Sequence, residues 1–352
     1  MRLAICPYML KFKEPARTSR ETMTQKPTYL LKLWDERNPE IFGIGEAAVF
    51  PGLSPEADHR YEYKLIELLV NIAIGRPADL SRHSSIQFGL EQALRDFASG
   101  GRHIYFDSPF TQGEKSIEIN GLVWMGDFEE MHRRLEEKIN AGFRCVKLKI
   151  GGIDWKDEIS LIESIRRRYD EHTLTVRVDA NGAFDMDCAL PRLKRLADLG
   201  VHSIEQPIPA GNPDLMRFLC STSPLPIALD EELIGIPSCE ERRQLLDYIR
   251  PQYIVLKPAL CGGFSGADDW IKAAGDLGIG WWITSALESN VGLDAIAQFA
   301  GSLNTDIPQG LGTGALYTNN FTMPLHLEAD RLLYRPDQKI DDSQFLNLDW
   351  KS

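Results

Sequence analysis

The spacing of apolar residues changes character twice along the chain, and those changes divide it. Leu3–Phe12, Tyr29–Trp34 and Ile41–Ala47 read as strands, rich in aliphatic and aromatic residues. Between the first two, Lys13–Pro27 is polar, holds two prolines and the run Arg17-Thr18-Ser19-Arg20, and is expected to form a long mobile loop. From Pro55 to about Ala98 the spacing turns helical. Tyr61, Leu65, Leu68 and Leu69 share one face, and Phe88, Leu90, Ala93, Leu94 and Phe97 continue it. Strands followed by helices predict an α+β unit.

After about Ser116 a repeat begins. Short apolar runs, each followed by a helical segment, lie at Ile117–Val123, Cys145–Ile150, Leu174–Val178, Ser203–Ile204, Ile227–Leu229, Tyr253–Leu256 and Trp281–Ile283, with a weaker eighth at Gly310–Thr313. The polar residues that close the runs from the second onward are Lys149, Asp179, Glu205, Asp230, Lys257 and Thr284, at intervals of 30, 26, 25, 27 and 27 residues. A strand-helix unit at that period predicts a parallel βα array, and seven or eight units close into a TIM-like barrel. A dinucleotide-binding sheet is disfavoured, because no Gly-x-Gly-x-x-Gly follows an early strand. From about Phe321 the tail leaves the period and is expected to pack back on the N-terminal unit.

In such a barrel, chemistry sits at the C-terminal strand ends. The second strand ends in Lys147-Leu148-Lys149, and alternation points both lysines to one face. Two close ammonium groups predict a depressed pKa for one of them, which suits a base; a solvated strand edge with two lysines is the plainer alternative. The next three strands end in Asp179, Glu205 and Asp230. One acid after a strand is commonly a helix cap, but three on successive strands would repel without a counter-ion. Hard oxygen donors in that number suit Mg2+, with Mn2+ as a substitute. Lys257 ends the sixth strand, across an eight-stranded ring from Lys149. Two lysines facing each other over a metal fit proton transfer at a carbon beside a carboxylate.

Composition narrows the partners. Among 352 residues, 39 are Lys or Arg and 51 are Asp or Glu, a net charge of −12. That balance argues against nucleic acid and against an anionic membrane surface, but not against a small anionic substrate. No apolar run approaches the length of a membrane span, and the N-terminus lacks the pattern of a signal peptide. Six dispersed cysteines without a Cys-x-x-Cys pair are expected to be reduced thiols, so the expected location is cytoplasmic. Assembly into a homo-oligomer is left open.

Lys147-x-Lys149, Asp179-Ala-Asn181, Glu205-Gln206-Pro207, Asp230-Glu231 and Leu256-Lys257-Pro258, in this order, resemble the enolase superfamily in its muconate-lactonizing subgroup. The resemblance covers about residues 117–320. It implies an α/β fold: a (β/α)7β TIM-like barrel over residues 116–320, with an α+β N-terminal capping domain of residues 1–115 completed by the tail, residues 321–352. Thr284-Ser285-Ala286-Leu287-Glu288-Ser289, Gly292-Leu293 and Gly310-Leu311-Gly312-Thr313-Gly314 are further similar to the o-succinylbenzoate synthase family. Dipeptide epimerases carry acids on the eighth strand, and mandelate-racemase types carry a histidine on the seventh. This chain has neither; its histidines are at 59, 83, 103, 132, 172, 202 and 326.

The resemblance implies Mg2+-dependent dehydration of a cyclohexadiene dicarboxylate bearing a succinyl group, on the route to menaquinone. Lys149 would remove the proton and return it to the leaving hydroxyl. Lys257 would stabilise the enediolate from the opposite face, and Lys147 would contact the carboxylate. Asp179, Glu205 and Asp230 would hold the metal. Asn181 and Gln206 would support these groups from behind or serve only loop hydrogen bonding. Arg20, in the loop, would meet the succinyl carboxylate, and Ser285 and Gly312 would touch the substrate. Racemisation of N-acylamino acids or dipeptide epimerisation on the same site is the alternative; a non-catalytic binding homologue is a lesser one.

Overall fold

The computed structural model describes residues 1–17 and 22–351. The chain opens with β1 (Arg2–Arg17), β2 (Thr22–Asp35) and β3 (Asn38–Ala47), an antiparallel sheet in that order. The described parts of Lys13–Pro27 therefore extend two strands rather than forming the expected loop. The prolines are tolerated for local reasons. Pro15 lies in the irregularity between Lys11 and Ala16, and Pro27 pairs with Met9 beyond the point where β3 begins to pair at Tyr29.

Helices α1 (Tyr61–Ala73) and α2 (Ser84–Ala98) follow. Helix α2 packs tightly on β3: a Cβ on Gly45 would lie 2.0 Å from the Gly89 carbonyl oxygen. Asp96 and Gln92 of α2 accept hydrogen bonds from Ile44 N and Glu46 N, satisfying strand donors that face the helix.

The second unit alternates strand and helix. It runs β4 (Ile117–Glu118), β5 (Gly121–Val123), α3 (Phe128–Asn140), β6 (Cys145–Lys149), α4 (Trp155–Arg166), β7 (Thr175–Asp179), α5 (Met186–Asp198), β8 (Ser203–Glu205) and α6 (Pro213–Thr222). It continues with β9 (Ile227–Leu229), α7 (Cys239–Ile249), β10 (Tyr253–Leu256), α8 (Gly263–Asp276), β11 (Gly280–Ile283) and α9 (Asn290–Ser302). Strands β5 to β11 form one parallel sheet in chain order. The eighth position is smaller than expected: parallel bridges at Gln309 to Ile119 and Gly310 to Thr284 span the gap between the sheet's edges. The first expected strand is split, because β4 turns away to pair with the tail.

Alternation sorts the barrel residues. Val146, Leu148, Val176, Val178 and Ile204 are buried in the large apolar cluster with the helices. Lys147, Lys149, Arg177, Asp179 and Glu205 occupy the other face, pointing inward. Deeper inside, the Arg177 guanidinium stacks 4.2 Å from the Trp282 ring centroid. The tail forms β12 (Leu325–Glu328), β13 (Arg331–Tyr334) and α10 (Ser343–Leu346). The hairpin pairs with β4, whereas Phe321, Met323 and Phe345 pack with Cys6, Leu30, Phe42 and Ile44 of the N-terminal sheet. All six cysteines are free. Among the described residues, no helix is long and apolar enough to cross a membrane.

Candidate active site

A cavity of about 380 Å3 opens at the C-terminal ends of the strands. Lys147, Lys149, Asp179, Asn181 and Lys257 line it, as do Ser285, Gly312 and Thr313. The register explains the gathering: Lys149 pairs with Asp179, and Asp179 with Glu205, on three adjacent strands. Glu205 and Asp230 are not part of the lining; Lys147 and Lys257 bind them. Arg20 lies outside the described residues.

The lysines and carboxylates form one buried network. Lys147 Nζ is 2.9 Å from Asp179 Oδ2 and donates to Glu205 Oε2 at 2.5 Å. Lys149 Nζ is 2.8 Å from Asp179 Oδ2 and donates to Asn181 Oδ1 at 2.6 Å. Lys257 Nζ donates to Asp230 Oδ2. The spacing of Lys147 and Lys149 predicts a depressed pKa, but at Lys147 the opposite holds. Burial disfavours its charge, yet Asp179 and Glu205 outweigh burial and raise its pKa. Asp179 is held well below the carboxylate range: burial opposes its charge, and the two lysines override it. Glu205 goes the other way, pushed up to about 8 by burial and by the charge of Asp179. At Lys257, Asp230 and Glu231 outweigh burial and raise the pKa.

Two side chains at the rim carry supporting hydrogen bonds. Asn181 donates from Nδ2 to Glu231 Oε1 at 3.0 Å, so it links Lys149 to a further acid. Gln206 Oε1 accepts from Asp230 N at 3.1 Å and Glu232 N at 3.3 Å, tying the end of β8 to the turn after β9. Both have positive φ, +43° and +40°, a backbone that non-glycine residues seldom hold without compensating bonds. Ser285 is engaged by Thr313, hydroxyl to hydroxyl at 2.7 Å.

Among the described residues, no group of three or more His, Cys, Asp or Glu side chains is drawn together closely enough to hold a metal ion. Asp179, Glu205 and Asp230 stand instead as ion-pair partners of the lysines. Their chemistry nonetheless fits a hard divalent cation. They are three oxygen donors on adjacent strands, without a thiolate or imidazole in the lining, and Glu205 Oε1 is buried without a hydrogen-bond partner among the described residues.

The family described as Enolase C-terminal domain-like matches residues 130–337, more than half of the chain. The chain belongs to the enolase superfamily. Within the superfamily it is 44% identical over 355 residues to an o-succinylbenzoate synthase of Desulfotalea psychrophila, covering 91% of this chain and 95% of that protein. The crystal structure of MenC from the same organism superimposes with a TM-score of 0.80 at 41% identity, over 95% of this chain and 99% of that one. An N-succinylamino acid racemase of Thermus thermophilus is 33% identical over 314 residues, covering 82% and 79%. The mixed α/β architecture, with an antiparallel N-terminal sheet and a parallel barrel sheet, is that of the superfamily.

Several lining residues escape a reading of strand ends. Phe50-Pro51-Gly52-Leu53, after β3, brings the N-terminal unit to the cavity, and Asn120, Leu122 and Trp124 bring the first barrel strand. The Pro-Gly pair after an apolar strand was the available signal for the first group. Glu231 was visible within Asp230-Glu231-Glu232, but nothing in the sequence separates its direction from that of Glu232.

Proposed function

We propose that this chain is an o-succinylbenzoate synthase. It dehydrates 2-succinyl-6-hydroxy-2,4-cyclohexadiene-1-carboxylate to o-succinylbenzoate and water, a step of menaquinone synthesis. The observation that carries this reading is the 44% identity to a named synthase over nine-tenths of the chain. The lysine pair alone suits racemisation equally well.

In this reading Lys149 takes the proton from the carbon beside the carboxylate, and the bonding pair moves into that carboxylate. Asn181 holds the Lys149 Nζ toward the cavity. Lys147 and Lys257 offset the growing negative charge, Lys257 from the opposite face. The pair of electrons then returns, the bond to the hydroxyl breaks, and Lys149 gives its proton to the departing oxygen. Aromaticity drives this second step, and the base ends as it began. Asp179, Glu205 and Asp230 would hold Mg2+, or Mn2+ in its place. The metal supplies, when bound, a positive charge that stabilises the enediolate form of the substrate carboxylate. Phe50–Leu53 line part of the cavity, and in this reading they would limit access of water to the bound substrate.

The test is a spectrophotometric assay of purified protein with the cyclohexadiene and Mg2+. Turnover that disappears in Lys149→Ala supports the reading; wild-type turnover in that variant, or none in the wild type, defeats it. A second reading, racemisation of N-succinylamino acids, is favoured by the 33% identity to a named racemase. It predicts loss of the α-proton to solvent deuterium from both enantiomers.

A further inference from the structure

The seventh strand leaves the barrel through Ser285–Ser289, and within that turn Leu287 holds φ at +59°. A leucine there is strained, because its Cβ crowds neighbouring backbone oxygen. Leu287 is also buried and lines the cavity beside Ala286. The turn is held from three sides. Glu288 Oε2 accepts from Ala286 N at 2.7 Å, and the buried Tyr317 hydroxyl donates to Leu287 O at 2.7 Å. Glu46, from β3 of the N-terminal sheet, accepts from Ser289 N at 2.9 Å, Ser289 Oγ at 2.6 Å and Gly292 N at 2.9 Å. A carboxylate from one unit thus caps helix α9 of the other. Only glycine fits at position 292, where a Cβ would lie 2.8 Å from both Glu46 Oε2 and Glu288 Cβ.

Lys26 of β2 completes the cluster. It is fully buried, and its Nζ has no hydrogen-bond partner among the described residues. Burial lowers its pKa, against the opposing pull of Glu46 and Glu288. The ammonium stands 5.7 Å from the ring centroid of Phe50, another cavity residue. Burying an ammonium with two carboxylates is a poor way to stabilise an interface that apolar side chains would seal as well. What the cluster does supply is position.

We propose that Glu288, backed by Glu46 and Lys26, is a positioning residue that holds Leu287 in its left-handed conformation. It thereby shapes the apolar wall that receives the non-reacting part of the substrate. The inference rests on the proposed dehydration only for the identity of the ligand.

The test compares Glu288→Ala and Glu288→Gln for kcat and KM with the cyclohexadiene, for Kd with o-succinylbenzoate, and by crystallography. Glu288→Ala is expected to raise KM and Kd about tenfold with kcat within about threefold, and to show Leu287 relaxed to negative φ. Glu288→Gln keeps an acceptor for Ala286 N–H and is expected to stay within about threefold of wild type throughout. Leu287 unmoved in Glu288→Ala, or unchanged KM and Kd, overturns the inference. So does a fall in kcat alone, which would assign Glu288 to the chemistry. Should Glu288→Ala fail to fold, Tyr317→Phe removes another tether of the same turn. It should raise KM about fivefold or more, and a KM within about threefold of wild type there is equally fatal. A wild type that binds o-succinylbenzoate yet dehydrates nothing defeats the proposed function and leaves the inference standing.

Discussion

Asn181 grips Lys149: its side-chain oxygen accepts from the ammonium at 2.6 Å, while its amide is anchored on Glu231 at 3.0 Å. A hydrogen bond to a charged group contributes about 1.5–3 kcal/mol, so Asn181→Ala should lower kcat roughly 10- to 100-fold. KM should change little, because in the proposed reading the bond orients a base rather than binding substrate. Steady-state kinetics on the folded variant check this, and a KM effect without a kcat effect would contradict it.

Lys149 and Lys257 separate in their consequences. Lys149→Ala should reduce dehydration by at least about 10³-fold, since in the proposed reading Lys257 faces the opposite side of the substrate and cannot replace it. Lys257→Ala should slow dehydration without abolishing it. In a racemase the same substitution would stop deuterium exchange from one enantiomer only. Exchange followed by NMR with each enantiomer tells the two apart.

Metal removal gives a third expectation. Chelation should abolish turnover, and Mg2+ or Mn2+ should restore it. A ligand that binds only the folded state raises stability by about 2.7 kcal/mol at a hundred times its Kd, so saturating Mg2+ should also raise Tm. Thermal melts with and without the ion measure that separately from activity.

His103 gives the N-terminal unit one pH-dependent link. Its two ring nitrogens meet Asp96 Oδ2 at 2.9 Å and Asp342 Oδ1 at 3.0 Å, joining α2 to the tail. Burial opposes protonation, but the hydrogen bonds to Asp342 and Asp96 win and raise the pKa to about 9. The protonated form is therefore favoured by folding. That contribution, on the order of 2–3 kcal/mol, is fully present below about pH 6.5 and is lost as pH rises through about 9. Urea unfolding at pH 6 and pH 9.5 should show a smaller stability difference in His103→Gln than in the wild type. Equal differences would remove the assignment.

Gly45 tests the contact between sheet and helix. An added methyl would meet the Gly89 carbonyl oxygen at 2.0 Å and Ala93 N at 2.9 Å, all backbone. Overpacking of this kind costs about 1–3 kcal/mol, so Gly45→Ala should lower Tm by several degrees. A calorimetric scan would reveal it.

How much of this was legible in the sequence depends on the range of the interaction. The barrel strands stood out because each buries apolar residues and the second to sixth end in a charged one at a regular interval, and the pattern is local. Lys147, Lys149, Asp179 and Lys257 reach one cavity for that reason. The β1–β2 extension was illegible: pairing of Ala16 with Met23 and of Lys11 with Gln25 overrides a polar, proline-bearing composition. The eighth strand, the weaker one in the sequence, is reduced to two bridging residues: Gly310 from the expected Gly310–Thr313 and Gln309 just before it. Lys26 and Glu46 could not be read at all. Their partner Glu288 lies more than two hundred residues away, and only the folded chain brings them together.

The seam at Gln309 and Gly310 has a consequence for the shape of the cavity. The remaining strands hold one another in register, and every lysine and carboxylate of the network sits on or just beyond that continuous stretch. The joint itself has no room at Gly310, where a Cβ would lie 2.3 Å from Thr284 Oγ1, whereas at Gly312 the nearest atom to a Cβ would be 3.5 Å away. Residues 310, 312 and 313 line the cavity from that joint. A side chain introduced at position 312 would therefore reshape the cavity wall without displacing the lysines and carboxylates on the neighbouring strands.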